Sequence, residues 1–169
     1  MIDQQPASVR LEILSRPELL APVRSMVISM AERFGFDEVE CGHLALAVDE
    51  ALANIIRHSY LGDDAGRIWI TILPIETSPP IFRIEIEDEG RPFDIESIVP
   101  RDLDEVRPGG LGVHLIREVT DRCTFERRSP LGMKLVLEKT PAAPSASPVP
   151  SSSPDETGSD PGTSHRHRN

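Results

Sequence analysis

Three stretches of the sequence carry side chains whose types and spacing suit phosphate chemistry. The first is AVDEALANIIRHSY, in which Glu50, Asn54 and His58 recur every four residues and would form one stripe along a helix. A carboxylate can accept the proton of an attacking hydroxyl, and an amide oxygen is a ligand that Mg²⁺ accepts. An ordinary solvated helix face has the same spacing, so this stretch alone leaves both interpretations open. We interpret His58 as a helix-end histidine bonded to backbone and leave it out of the catalytic set.

The second stretch, IEIEDEGRPFD, runs from a β-branched strand into Asp88 and Gly90. A carboxylate at a strand end can accept a hydrogen bond from an exocyclic amine such as that of adenine, and a glycine lets a ligand or the chain approach closely. An acidic turn after an edge strand is the alternative interpretation.

The third stretch, RPGGLGVHLIREV, is a glycine-rich loop that opens into an amphipathic helix. Free backbone N–H groups and the dipole at such a helix start favour phosphate, and Gly109, Gly110 and Gly112 would let the backbone wrap an anion. The dinucleotide-binding GxGxxG turn is excluded, because that motif directly follows the first strand of a βαβ unit and here a long irregular loop precedes the glycines.

The elements that must position these residues can be predicted from hydrophobic periodicity. We expect helices at about 17–34, 37–59 and 111–120, the second of them started by a capping box of Asp37 and Glu40 with Phe36 as its hydrophobic staple. We expect strands at about 9–13, 67–75, 81–87, 122–128 and 133–138, with the second and third forming a hairpin. Helices and antiparallel strands in this order predict an α+β fold, a two-layer sandwich in which helices cover one face of one mostly antiparallel sheet.

Composition limits the remaining possibilities. With 28 acidic and 18 basic residues, the formal charge of −10 disfavours direct binding to nucleic acid or to an anionic membrane surface. The two cysteines form no CxxC pair, and the chain has no signal-peptide pattern and no long apolar run, which predicts a soluble, cytoplasmic protein. Residues 141–169 are rich in Pro and Ser and have almost nothing to bury, so we expect one folded domain over 1–140 and a disordered tail over 141–169.

Taken together, the order and spacing of ExxxN, DxG and GxG resemble the N, G1 and G2 boxes of the GHKL ATPase superfamily, whose ATP-binding fold is of the Bergerat type. The resemblance covers nearly all of residues 9–140. The segments VDEALANIIRHSY, EDEGRPFD and GGLGVHLIREVTD resemble the corresponding segments of the bacterial anti-sigma factor serine/threonine kinases. Sensor histidine kinases would carry a dimerisation helix with a phospho-accepting histidine, and nothing before residue 9 fits one.

The resemblance implies a role for each matched residue. Asn54 would be the protein ligand of Mg²⁺, and Glu50 would orient or deprotonate the attacking hydroxyl. Asp88 would bind the adenine, with Gly90 where the family lets the base approach. The segment 91–109 would correspond to the mobile ATP lid.

Gly110 and Gly112 match the phosphate-binding glycines of the family, and Gly109 adjoins them. Arg107, just ahead of these glycines, is the better match for a contact to the terminal phosphate, with Arg101 as the alternative. Gly132-Met133 departs from the Gly-Thr of many relatives, so a hydroxyl that could assist the adenine-binding carboxylate is missing.

The resemblance implies an ATP- and Mg²⁺-dependent kinase that phosphorylates a Ser or Thr of a small anti-anti-sigma (STAS-like) partner and thereby regulates a sigma factor, and it also suggests a homodimer. Two alternatives remain. The domain could bind its partner in response to ATP with little kinase activity, or it could be a detached histidine-kinase catalytic domain.

Overall fold

The computed structural model describes residues 8–92 and 111–142. Five antiparallel strands form one sheet in the order β1-β2-β3-β5-β4. Their bounds are β1 Val9–Leu14, β2 Arg67–Ile75, β3 Ile81–Asp88, β4 Arg122–Arg127 and β5 Met133–Lys139. The predicted strands and the β2–β3 hairpin are therefore confirmed, with ends that differ by a residue.

Three helices lie against one face of this sheet. They are α1 Leu20–Phe34, α2 Glu38–Asn54 and α3 Leu111–Val119, and α2 packs between the other two. A short 3₁₀ turn, Pro17–Leu19, precedes α1, so the helix that we expected from Pro17 begins as a tighter turn. The predicted α+β sandwich, with helices on one face of a mostly antiparallel sheet, is confirmed.

The core lies between the helices and the inner face of the sheet. Alternate residues of the central strands are buried there: Ile68, Ile70, Ile72, Phe82, Ile84, Ile86, Leu135 and Leu137. The period of two that predicted the strands thus also decides which side chains meet the helices. Asp88 continues the inward-facing series of β3 and is the last residue of that strand.

The capping box that starts α2 is confirmed. The Asp37 side chain accepts a hydrogen bond from the Glu40 backbone N–H at 2.8 Å, and the Glu40 side chain accepts one from the Asp37 backbone N–H at 3.3 Å. Directly after Asn54 the helix changes to a π turn, Ile55–Ser59, which delivers the chain to Tyr60. Such turns widen the helix locally and are common at functional sites.

In the part of the chain that the structure describes, no helix covers the outer face of the sheet, which carries paired charges. Lys134 Nζ lies 2.8 Å from Glu85 Oε2, and Arg83 Nε donates to Glu138 Oε1 at 2.7 Å. Among the described residues, no helix is long and apolar enough to cross a membrane. The predicted tail 141–169, apart from Pro141 and Ala142, and most of the predicted lid lie outside the described residues.

Candidate nucleotide-binding site

Asp88 lies at the end of β3, where the chain turns away from the sheet. Its Oδ1 atom accepts a hydrogen bond from the Gly90 backbone N–H at 2.8 Å, which closes a tight turn. A Cβ on Gly90 would lie 2.6 Å from Cβ of Ser59, so only glycine lets this turn pack against the end of the π turn. The Arg91 backbone N–H donates to the Ser59 carbonyl at 3.1 Å and joins the two segments.

The second carboxylate oxygen of Asp88 is available to a ligand. Asp88 is fully buried at 0% exposure, and within the described residues its Oδ2 atom has no hydrogen-bond partner of normal geometry. Burial raises the pKa of Asp88 above its ordinary value, whereas the nearby backbone N–H groups of Gly90 and Met133, the nearby Ser59 hydroxyl and the charge of Arg128 act to lower it. A buried acceptor that lacks a donor is costly, and a ligand amine would remove that cost.

Asn54 presents a second buried side-chain oxygen, from the helical layer opposite the sheet that carries Asp88. It is the last residue of α2 before the π turn, and its side chain is buried at 3% exposure. Its Oδ1 atom likewise has no hydrogen-bond partner among the described residues. An amide oxygen with free lone pairs can bind a cation or a donor, so Asn54 is suited to ligate a metal held by phosphates.

Asp88 and Asn54 line one cavity. Its volume is about 20 Å³, and apart from these two side chains its lining is mostly apolar. Its lining consists of Ala51, Asn54, Ile55, Ile86, Asp88, Val113, Ile116, Phe125, Met133 and Leu135. A mostly apolar pocket with a small number of converging polar atoms is the usual form of a small-molecule site.

Glu50 faces a different space, one helical turn before Asn54. It is partly exposed and lines an open cleft of about 330 Å³ together with Gly112, His114, Leu115 and Glu118. A Cβ on Gly112 would overlap the Glu50 side chain, so the start of α3 approaches α2 closely at this point. His114 is largely exposed, and its Nε2 atom lies 3.7 Å from Oε2 of Glu118.

The structure therefore brings five of the predicted site residues into one region: Glu50, Asn54, Asp88, Gly90 and Gly112. The other three, Arg107, Gly109 and Gly110, lie outside the described residues, as does the alternative Arg101. The phosphate contacts expected of them stay predictions.

Sequence reasoning missed three residues that surround Asp88. Ser59 is buried at the end of the π turn. The Tyr60 hydroxyl accepts a hydrogen bond from the Glu89 backbone N–H at 2.9 Å, and the Arg128 guanidinium donates to the Asp88 carbonyl at 2.7 Å. These contacts join residues far apart in the chain, so no local pattern signals them.

The chain is similar to a known family of domains and to individual known proteins. The model of the histidine kinase-like ATPase domain family matches residues 13–139. A serine-protein kinase RsbW of Listeria monocytogenes serotype 4a is 30% identical over 121 residues, which are 67% of this chain and 75% of the relative. A serine-protein kinase RsbW of Halalkalibacterium halodurans is 27% identical over 143 residues, which are 80% of this chain and 84% of the relative.

A solved structure shares the fold. The crystal structure of the RsbU and RsbW domains of Rv1364c from Mycobacterium tuberculosis aligns with a TM-score of 0.58 at 13% identity. The alignment covers 80% of this chain and 32% of that one, so the chain spans about a third of the length of that structure. With a family model that matches most of its length, this chain belongs to the family of histidine kinase-like ATPase domains.

Proposed function

We propose that this chain binds ATP with Mg²⁺ and transfers the γ-phosphate to a Ser or Thr of a small anti-anti-sigma protein of the STAS-like type. Such a transfer would regulate the sequestration of a sigma factor in the cytoplasm. One observation carries the proposal: Asp88 and Asn54, from opposite layers of the fold, each offer a buried oxygen without a partner to the same apolar cavity.

Adenine recognition falls to Asp88 in this proposal. The free Oδ2 atom accepts a hydrogen bond from the exocyclic amine, while Oδ1 is already occupied by the Gly90 N–H. The apolar walls contributed by Ile86, Val113 and Met133 suit the faces and edges of a purine. A purine without an amine at this position would leave Oδ2 buried and unpaired, so this geometry favours adenine over such a purine.

The free Oδ1 atom of Asn54 fits Mg²⁺, which prefers oxygen ligands and commonly takes few of them from the protein and the rest from phosphates and water. When bound, Mg²⁺ would neutralise charge on the phosphates during transfer. Burial between α2 and the sheet restricts the rotation of Asn54, so its oxygen stays in place without rearrangement. The glycines before and within α3 would supply backbone N–H groups to the phosphates.

Transfer itself falls to Glu50. A bond forms between the acceptor hydroxyl oxygen and the γ-phosphorus as the bond to the β-phosphate oxygen breaks, and the hydroxyl proton passes to the Glu50 carboxylate. Partial exposure suits this role, because a protein substrate must reach Glu50 from solvent. The open cleft beside Glu50 gives that access, whereas the cavity at Asp88 is enclosed by core residues.

The choice of a protein Ser or Thr as acceptor is supported by the relatives, which are named serine-protein kinases. The STAS-like partner, the sigma factor and a homodimeric state follow from the resemblance in VDEALANIIRHSY and GGLGVHLIREVTD. Met133 occupies the position where many relatives have Thr, and it is buried in the cavity wall. We therefore expect adenine to be read through Asp88 without help from a hydroxyl at this position.

The test is to incubate the chain with labelled ATP-Mg²⁺ and a STAS-domain protein encoded beside its gene. We expect label in the partner that survives acid and is lost in alkali, as phosphoserine is. Label that is lost in acid would instead indicate a histidine-kinase catalytic domain. ATP binding without transfer to the partner would indicate the binding module and contradict the kinase.

A further inference from the structure

Arg128 connects the outer face of the sheet to the backbone of Asp88. It directly follows β4, and its side chain is half-buried against β2 and β3. One guanidinium nitrogen, Nη1, donates to the Asp88 carbonyl at 2.7 Å, and Nε lies 3.1 Å from Oε2 of Glu87. The guanidinium carbon is 5.4 Å from the ring centroid of Trp69, a cation–π distance.

The contact to Asp88 occurs where the sheet ladder stops. The register of β3 with β5 ends at the pair Glu87 and Lys134, so the Asp88 carbonyl is the next group beyond it. Gly132 passes directly over this carbonyl with a φ of +99°, and a Cβ there would overlap the carbonyl oxygen. The guanidinium thus supplies the donor at a position where β3 and β5 no longer pair.

The orientation of the guanidinium is itself fixed from two sides. The Glu87 carboxylate holds one edge, and the Trp69 ring covers its face. Trp69 is in turn oriented by a hydrogen bond from Nε1 to Oε2 of Glu12 at 3.0 Å. A planar fork with several donors can make these contacts at once, which an ammonium group cannot.

We propose that Arg128 is a positioning residue for adenine recognition, which holds the Asp88 backbone from the outer face of the sheet so that the carboxylate faces the exocyclic amine. The inference rests on the proposed nucleotide site. The charge of Arg128 also supports recognition of the amine, because a nearby cation lowers the pKa of Asp88 and favours the ionised acceptor.

The experiment compares two nucleotides that differ only in the group that Asp88 would bind. Binding of ATP-Mg²⁺ and of purine riboside triphosphate, which lacks the 6-amino group, is measured by calorimetry for the parent and for Arg128→Met. We expect the parent to prefer ATP and the variant to lose about tenfold of that preference. Affinity for the analogue should stay within about threefold of the parent, since its phosphates and ring are held elsewhere.

Two further variants make the result specific. Arg128→Lys keeps a donor without the fork or the stacking, so its preference for ATP should lie between those of the parent and Arg128→Met. It also replaces Arg128→Met in the comparison if that variant does not fold. Arg127→Met is the matched control, because Arg127 is the neighbouring exposed arginine of β4 and should leave the preference unchanged.

Three outcomes would overturn the inference. An unchanged preference for ATP in Arg128→Met and Arg128→Lys would show that Arg128 does not position the carboxylate. An equal loss of affinity for both nucleotides would show that it only stabilises the fold. A parent that binds ATP without preferring it to the analogue would overturn the proposed reading of adenine by Asp88, and this inference with it.

Discussion

Two carboxylates of the site, Asp88 and Glu50, are held in opposite ways. Asp88 is fully buried and is fixed by the Gly90 N–H at its side chain and by Arg128 at its carbonyl. Glu50 is partly exposed in an open cleft, next to the bare backbone of Gly112. In the proposed function, recognition therefore falls to a rigid part of the fold, and chemistry to a side chain that solvent and a partner can reach.

The two ends suit the different demands of the proposed binding and transfer steps. A buried acceptor that must wait for a ligand costs stability, and the surrounding contacts are needed to hold it in place. A general base needs access to the proton that it removes, so complete burial would defeat it. Substitutions at the two ends should therefore separate nucleotide binding from phosphate transfer.

The largest effect is expected for Glu50→Gln, which keeps the shape of the side chain and removes the charge that accepts the proton. The rate of phosphate transfer to the partner should fall by about 10²–10⁴-fold, while ATP affinity should stay within a few-fold of the parent. Initial rates and calorimetry measure the two quantities. Glu76→Gln, at an exposed glutamate between β2 and β3, is the control and should transfer at the parental rate. A parental rate in Glu50→Gln would show that Glu50 is not the base.

The next effect concerns nucleotide binding at the buried end. Asp88→Ala should lower ATP affinity by roughly 10–100-fold, the size expected when a charge-assisted hydrogen bond is lost. Asn54→Ala should lower it only when Mg²⁺ is present, because its oxygen is proposed to bind the metal. Titrations with ATP in Mg²⁺ and in EDTA distinguish the two variants. Parental affinity in both would refute the assignment of this cavity.

Substitutions at two glycines should distinguish the rigid surroundings of Asp88 from the adaptable surroundings of Glu50. A methyl group at Gly132 would overlap the Asp88 carbonyl in a backbone conformation that L-residues disfavour, so Gly132→Ala should lower the free energy of unfolding by about 2 kcal/mol or more. A methyl group at Gly112 would overlap only the Glu50 side chain, which can rotate away. Gly112→Ala should therefore keep its stability, since alanine favours helix, yet transfer phosphate at least about tenfold more slowly. Denaturant unfolding and transfer assays test both, and equal destabilisation would contradict the contrast.

The smallest effect is a gain in stability. Burial raises the pKa of Asp88 above its ordinary value of 3.8. At a pH between the pKa of the unfolded chain and that of the folded protein, the folded protein therefore retains a proton that the unfolded chain has released. The free energy of unfolding therefore falls as the pH rises through that window. Nucleotide-free Asp88→Asn should melt at a higher temperature than the parent at pH 7 and lose this advantage at acidic pH. Thermal melts across pH check this, and a lower melting temperature at pH 7 would contradict it.

The sequence predicted the elements well because their signals are local. The Asp37 and Glu40 capping box and the alternating strands depend on neighbours along the chain, and Glu50, Asn54 and Asp88 followed from the family resemblance. The supports of Asp88 could not be predicted in this way. The contact from Arg128 spans 40 residues and the one from Tyr60 to Glu89 spans 29, so they exist only once the sheet has formed.

The separation of Glu50 from Asn54 also depends on tertiary structure. Both lie on the stripe of α2 that the helical period predicts, yet one is partly exposed and the other is buried at 3% exposure. The difference arises because the sheet and α3 cover the end of α2, and because a π turn begins directly after Asn54. A helical projection contains neither fact.

A crystal structure with a non-hydrolysable ATP analogue and Mg²⁺ tests the central claim most directly. We predict the adenine in the cavity between α2 and the sheet, with its exocyclic amine within hydrogen-bond distance of Asp88 Oδ2 and Mg²⁺ bound to Asn54 Oδ1. Nucleotide bound elsewhere, with Asp88 Oδ2 and Asn54 Oδ1 still unpaired in that cavity, would contradict the account.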